Sequence, residues 1–337
     1  MYSLLIKNAA GSNINEITNH KGFGYNFELN RAGSCEFTTN IDFGNKFTMA
    51  NLYPYLSYLD IYRYNTKVWS GVLNKIPSGN VGPETGSINF TFSGYLKLLE
   101  KMRMGALGET YTATEQGTIL WTMLNNFQSQ PNGNYGITLG NVSTGIIRDR
   151  TYSAFKNIYD AFIEMCAVID GCDIEVTIEK VLNVYAHKGH RLNHVFEYGK
   201  NISDFSFSID GDSIVNNSIV VGSGEGVDML YSIAHNMQSQ EKYGLKQNVT
   251  QKSDVIILDT LTGYAQGEVN EYGEPTQIFG LQAMVQDDPP MGSYEVGDEI
   301  RCIVNKGWAS FDKYLRIKKI SVDVNAEELE TVKVEFQ

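Results

Sequence analysis

Two stretches of the chain, VWSGVLNKIPSGNVGPETGSINFTF at residues 68–92 and DKYLRIKKISVDVNAEELETVKVEF at 312–336, have the same build. At a constant offset of 244 residues, Leu73 and Ile76 fall on Ile317 and Ile320, and Lys75 falls on Lys319. Further along, Ile88, Phe90 and Phe92 fall on Val332, Val334 and Phe336. Alternation of apolar and polar residues marks strands with one buried face. Each stretch therefore predicts an antiparallel hairpin. The chain makes it once a quarter of the way along and again at its end.

The composition is that of an ordinary folded protein. Of 337 residues, 42% are hydrophobic and 20% charged, which is too apolar for disorder. No apolar run approaches the length of a membrane span, so stable membrane insertion is not expected. The opening MYSLLIKNAAG is too short an apolar stretch for a signal peptide and reads as a first strand, which predicts folding in a cytoplasm. Cys35, Cys166, Cys172 and Cys302 are too scattered for a disulfide framework and read as small buried hydrophobes. The net charge of −12 makes a poor grip for a polyanion, because holding phosphates takes clustered Lys and Arg.

The fold class expected is β-rich α+β: two similar β-barrel domains with two inserted α/β modules. Residues 1–93 form the first β-barrel, through YSLLIK, GYNFELNR, SCEFTTNID, YLDIYRYN, VWSGVLNKI and SINFTFSGY. Residues 94–192 form an α+β insertion. Leu96, Leu99 and Met102 have helical spacing, stopped at Gly105, and a second helix runs from about Thr114 to Phe127. A third, SAFKNIYDAFIEMCAVIDG, is capped by Ser153 and followed by Gly171. The stretch CDIEVTIEKVLNVYAHKG then alternates as a hairpin. Residues 193–225 and 284–337 form the second β-barrel, split by a small α/β insertion at 226–283 whose helix runs from a Ser253 cap to Glu271.

Two similar barrels in one chain can occupy two neighbouring positions in a ring. Three chains then give six near-equivalent positions, a closed way to seat a threefold object on a sixfold one.

This order of parts resembles the tail-tip, or baseplate hub, proteins of bacteriophages, a family that includes the N-terminal structural region of tail-associated proteins and the hub part of type VI secretion spikes. The resemblance is carried by Trp69, Gly71 and Leu73, leading to Gly94-Tyr95, and by Arg150, Tyr152 and Ser153 before the long helix. It continues through Phe196, Tyr198, Gly199, Asn201 and Ile202, then Asn217 to Gly222. Its last elements are Val296, Gly297, Asp298 and Ile300, followed by Arg316 and Ile317. What the resemblance implies is a structural virion protein assembled in the host bacterial cytoplasm. It would be a homotrimer forming a pseudo-sixfold ring that continues the tail tube. Other tail-tip proteins would be its partners, a distal tail ring or tail tube above and a fibre or spike below, and DNA would pass without specific binding. Fibre or lytic functions would sit on a partner, since the chain stops at Gln337. Acids near the barrel strands, Asp42, Glu84, Glu327, Glu328 and Glu330, are the candidates for a bore wall that repels DNA.

Rival signals have plainer readings. Gly222, Gly224 and Gly226 follow an apolar run, but Val227 stands where a dinucleotide fingerprint needs its third glycine. Asp210-Gly211-Asp212 opens like a calcium loop, yet Ile214 and Val221 occupy ligand positions, so a turn is expected. His187, His190 and His194, with Cys166 and Cys172, fit no standard zinc spacing. The sequence contains no nucleophile elbow, HExxH or phosphate loop. No catalytic, cofactor or metal residues are assigned, and no enzyme is expected. The alternative is a carbohydrate-binding adhesin or receptor-binding module of a tail tip, using some of the 20 tyrosines and three tryptophans as stacking platforms. Aromatics that fill cores and subunit interfaces are the simpler account.

Overall fold

The chain's structure, a computed structural model, describes residues 2–17, 20–40, 51–75, 80–81, 86–253, 255–283, 288–307 and 309–337. Its first part contains β1 (Tyr2–Lys7), β2 (Asn13–Ile17), β3 (His20–Glu28), β4 (Ser34–Asn40), β5 (Tyr58–Arg63), β6 (Thr66–Leu73), β7 (Asn80–Val81) and β8 (Gly86–Ser93). A first insert follows, with a 3-10 turn at Tyr95–Lys101, β9 (Glu109–Glu115), α1 (Gln116–Gln128), β10 (Thr138–Leu139), β11 (Ile147–Tyr152), α2 (Ile158–Cys166), β12 (Asp173–Val176) and β13 (Val181–Tyr185). The chain then returns to β14 (Arg191–Glu197) and β15 (Ile202–Asp210). A second insert carries β16 (Asn217–Val221), β17 (Tyr231–His235), α3 (Met237–Tyr243), β18 (Gln247–Gln251) and α4 (Leu258–Tyr272). The last strands are β19 (Thr276–Ala283), β20 (Glu299–Lys306), β21 (Ala309–Asn325) and β22 (Glu330–Phe336).

The repeat extends well beyond the two hairpins. Phe92 lies opposite Cys35 on one side and Leu73 on the other. Phe336 lies opposite Phe279 and Ile317, each 244 residues beyond its counterpart. In the same way Phe37–Phe90 becomes Leu281–Val334, and Thr39–Ile88 becomes Ala283–Val332. One strand outward, Tyr25–Cys35 and Phe23–Phe37 become Phe207–Phe279 and Phe205–Leu281. On that strand the offset is 182. The difference of 62 residues is the second insert, which enters between β15 and β19. On the other flank β5–β6 becomes β20–β21, with Ile61–Trp69 matched by Cys302–Lys313. There the correspondence ends: β1 runs antiparallel to β5, whereas β14 runs parallel to β20. Ile76 lies outside the described residues, so its match to Ile320 is not part of this register.

The strands of the two modules are joined in one sheet. β21 pairs antiparallel with β3, setting Ile320 opposite Phe27, Val322 opposite Tyr25 and Val324 opposite Phe23. The two modules thereby join into a 14-stranded sheet, open at its ends among the described residues. One buried cluster runs under both, from Leu4, Ile61 and Phe90 to Phe279, Val334 and Phe336. Each module contributes a close ring pair to it, Phe37–Phe90 at 5.1 Å between centroids and Phe279–Phe336 at 5.5 Å. The 17-residue β21 makes the join possible. Its first half pairs with β20 and its second lies between β22 and β3.

The first insert has its own core, with Ile119, Leu120, Met123, Phe162 and Leu182 packed on the underside of β5 and β6 through Tyr58 and Val72. α1 starts close to its expected place. The stretch at 95–102 is a 3-10 turn rather than an α-helix. α2 starts later than Ser153: Asn157 caps it, accepting from the amides of Tyr159 and Asp160, because Phe155 sits at φ +59° and breaks the run. α4 likewise starts after Ile257, not at Ser253.

The second insert differs from the expected 226–283. β16 pairs with β17 and β18 in a three-stranded sheet under α4, so it belongs to the insert, while β19 belongs to the large sheet. Both are apolar strands, and β propensity does not say which sheet a strand joins. The stretch after Gly226 is not one helix: a 3-10 turn ends at Asp228, β17 follows, and α3 starts at Met237. The inserts touch at Gly267 of α4, where an added Cβ would stand 2.4 Å from the Ala167 carbonyl oxygen. Lys252 to Glu164, 2.7 Å, and Arg150 to Thr260 Oγ1, 3.3 Å, flank that contact.

Candidate functional site: a two-module sheet with one polar face

Residues directly opposite on paired strands share a face. One face of the joined sheet is the core. The other carries Ser206, Gly280, Glu335, Lys319 and Glu28 in one row, and Gln282, Lys333, Ser321 and Asn26 in the next. On the first module it continues through Ser34, Glu36, Thr38, Thr91 and Asn89. These side chains are polar and at least partly exposed. Over β15, β19, β22, the second half of β21, β3, β4 and β8, the charges on this face are Glu28, Glu36, Asp204, Asp210, Asp323 and Glu335 against Lys319 and Lys333. Lys333 is paired to Asp323 at 3.1 Å. The face is acidic, and both modules build it.

Of the acids expected near a bore, Asp42 and Glu84 lie outside the described residues. Glu327 is exposed in the turn between β21 and β22. Glu330 is a correction: its side chain is 3% exposed and faces the seam, not the polar face. Arg63 Nε and Nη2 donate to its two oxygens at 2.6 and 2.8 Å, and Tyr2 Oη donates at 2.6 Å. A paired, fork-to-fork carboxylate of this kind bridges β5 of the first module to β22 of the second. Its hydrogen bond raises the Arg63 guanidinium above the ordinary value, and burial, with the same carboxylate close by, raises the Tyr2 phenol.

The residues that carry the family resemblance are positions of close approach. At Gly71 a Cβ would meet the Trp69 ring at 2.3 Å and the Ser93 carbonyl at 2.5 Å, while Trp69 Nε1 donates to the Asn26 carbonyl. Gly297 has a φ of +100°, and a Cβ there would stand 2.7 Å from the Lys188 carbonyl oxygen, a combination that admits only glycine. Asp298 accepts from the amides of His190 and Glu295. Arg316 reaches Asp173, which also accepts from Asn30 Nδ2 and the Lys188 amide, so first module, first insert and second module meet at one carboxylate. Asn201 closes its own turn by accepting from the Glu197 amide and donating to the Val195 carbonyl. Arg150 and Tyr152 are buried between the inserts and the first insert's core.

The rival sites resolve into structure. Gly222, Gly224 and Gly226 make the turn between β16 and β17, and an added Cβ at Gly222 would meet Leu261. Asp212 donates its amide to Asp210 Oδ1 in a side-chain-closed turn. His187 and His190 are exposed and His194 half-buried; among the described residues no three His, Cys, Asp or Glu come together as metal ligands. The four cysteines are unpaired; three are buried and Cys166 is half-buried, beside Cys172. Burial pushes the Cys302 thiol up to about 12, opposite to what a nucleophile needs. No helix is long and apolar enough to cross a membrane among the described residues. Sequence reasoning missed the seam, the polar face and the Arg63–Glu330 pair. The usable signal for the first was the common offset of Cys35, Phe37 and Thr39 with Phe279, Leu281 and Ala283.

Residues 190–337 match the family described as prophage endopeptidase tail. No curated protein sequence matches the chain. Among solved structures, the fold is similar to the prophage MuSo2 43 kDa tail protein from Shewanella oneidensis, at 9% identity and a TM-score of 0.66, covering 99% of this chain and 98% of that one. A tail protein from Neisseria meningitidis matches at 10% identity and a TM-score of 0.66, over 99% and 96% of the two chains. The Escherichia coli c3393 protein, a type VI secretion component similar to the phage T4 tail proteins gp27 and gp5, matches at 10% and 0.51, over 94% and 73%. The whole chain carries the fold of phage tail proteins and of the related type VI secretion spike proteins, and residues 190–337 match the prophage tail family in sequence.

Proposed function

We propose that the chain is a structural component of a phage tail tip, a hub that closes as a homotrimer into a pseudo-sixfold ring continuing the tail tube. The observation that carries this reading is the repeat: two modules with the same strand register, joined edge to edge within one chain. A heterologous join of this kind either closes into a ring or runs on as a filament. Three chains with two modules each give six positions, which adapts a sixfold tube to a threefold fibre or spike.

In this reading the polar face of the sheet lines the bore. Its carboxylates repel the phosphate backbone over about a Debye length, ~8 Å at physiological salt, and its two lysines are too few to hold it. The first insert packs over β5 and β6 on the same sheet face, through Tyr58 and Val72, and in this reading the inserts widen the outside, where they meet neighbouring tail proteins. In this reading no residue does bond chemistry. Electron micrographs of tail tips test it. End-on averages are expected to show six inner lobes with three outer projections; six identical projections, or no closed ring, would overturn it.

A further inference from the structure

The helix α2 ends at Cys166, and the chain turns straight back onto that end. A Cβ added at Gly171 would stand 2.4 Å from the Cys166 carbonyl oxygen, and the Gly171 amide donates to the Val168 carbonyl at 2.9 Å. Cys172 therefore returns beside Cys166 just before β12 starts at Asp173, and both side chains belong to the core of the first insert. Neither thiol is in a disulfide; Cys166 is half-buried and Cys172 is 4% exposed. Cys35 and Cys302 lie apart from this pair, buried in the core of the large sheet. We propose that Cys166 and Cys172 form an oxidation site, a dithiol that closes into a disulfide once the protein leaves a reducing cytoplasm. The setting rests on the virion reading above, whereas the chemistry does not, and this is the one bond-forming step assigned to the chain.

Position gives the bond a consequence. The loop between the two sulfurs, residues 167–171, is where the first insert meets the second. The Ala167 carbonyl oxygen faces Gly267 of α4, and one turn away the Ile169 amide donates to the Gly263 carbonyl at 3.4 Å. Arg148 Nη2 holds the same loop by donating to the Ile169 carbonyl at 2.8 Å and to the Asp170 carbonyl. A disulfide restricts the loop when the contact opens, so the inserts part less readily. The co-reactant is a peroxide, since a cytoplasm keeps such thiols reduced and the exterior does not. Cys166, the more accessible sulfur, attacks one peroxide oxygen: an S–O bond forms, the O–O bond breaks and water leaves. The Cys172 sulfur then attacks the sulfenic sulfur, the S–S bond forms, the S–O bond breaks, and the second water carries off the thiol proton. The two thiols lose two electrons and the peroxide gains them. The hydrogen bond to Cys172, with burial, keeps Cys166 protonated well above the ordinary thiol range. The step is therefore slow at neutral pH and gains about tenfold per pH unit as the thiolate fraction grows.

Hydrogen peroxide added to the purified full-length chain tests the chemistry. The intact mass is expected to fall by two hydrogens, and a peptide map to place one link between Cys166 and Cys172, formed faster as pH rises. Cys166→Ser and Cys172→Ala are each expected to abolish the link, and Cys302→Ala to keep it. The wild-type map decides alone where a variant fails to fold: oxygen added to Cys166 with no link, or a link through Cys35 or Cys302, overturns the assignment. Limited proteolysis tests the consequence. The oxidised chain is expected to survive cleavage in the loop and the second insert about threefold longer than the same protein after reduction; equal rates overturn the clamp. Thiol alkylation in producing cells and in released tails tests the setting, with free thiols expected in cells and the link in tails. Free thiols in released tails overturn the proposed switch. A pair that links in the purified chain while the chain is missing from tails means that the virion reading has failed and the oxidation site stands.

Discussion

Arg63 and Glu330, 267 residues apart, meet through two parallel hydrogen bonds of 2.6 and 2.8 Å beneath the seam of the joined sheet. The carboxylate is 3% exposed and the guanidinium 24%. Removing one partner leaves a buried charge, which costs about 3–5 kcal/mol, whereas replacing both with apolar residues costs far less. Arg63→Ala and Glu330→Ala should each lower the urea midpoint sharply, and Arg63→Met with Glu330→Leu should recover most of the loss. Single variants with unchanged midpoints would show that the pair does not hold the modules together.

Phe92 and Phe336 fill matching places in the two modules, at 0% and 4% exposure. Truncating either to Ala is expected to cost about 3–5 kcal/mol, measured by equilibrium unfolding. The two losses should agree within a factor of two. A large loss at one position and none at the other would mean that the modules are not equivalent in packing.

At Gly267 the inserts approach too closely for a side chain, since an added Cβ would stand 2.4 Å from the Ala167 oxygen. Gly267→Ala should push α4 away at a cost of about 1–3 kcal/mol. Limited proteolysis should then cut within the second insert while the sheet stays intact. Unchanged resistance in that insert would place the contact elsewhere.

Lys180 lies over the Tyr58 ring at 3.8 Å, between the first insert and the first module. Burial pulls its ammonium down to about 8, from an ordinary 10.5, against the attraction of Asp60. Between those values the unfolded chain holds a proton that the folded chain has lost. Stability from this group therefore rises with pH across about 8 to 10.5, and the full penalty is present below 8. Against Lys180→Met, the wild type should gain in urea midpoint between pH 7.5 and 10. A gap between the two proteins that stays constant with pH would show that the lysine is not buried as described.

If the polar face lines the bore, its acidity is functional. Glu36→Lys with Asp323→Lys should create salt-sensitive DNA binding in a gel-shift assay, where the wild type shows none. Strong DNA binding by the wild type would contradict a passive conduit.

Sequence reading reached some of this and missed the rest for definite reasons. The hairpins were legible because Ile88, Phe90 and Phe92 and their counterparts alternate, and alternation is a local signal. The seam was not, because nothing near Tyr25 indicates that Val322 will lie opposite it. The insert boundary was misplaced because the apolar SIVV run of β16 looks like any barrel strand, and the change of offset from 244 to 182 hides β15 from a search at one spacing. Glu330 reads as a wall acid in the sequence, which shows a charge but not its partner, 267 residues away.

The central claim is that one chain supplies two of six equivalent ring positions, and copy number tests it most directly. The mass of the assembled hub, measured by native mass spectrometry on purified protein or on dissociated tail tips, should equal three times the 37.7 kDa chain. Six copies, or a dimer, in intact tails would contradict the account.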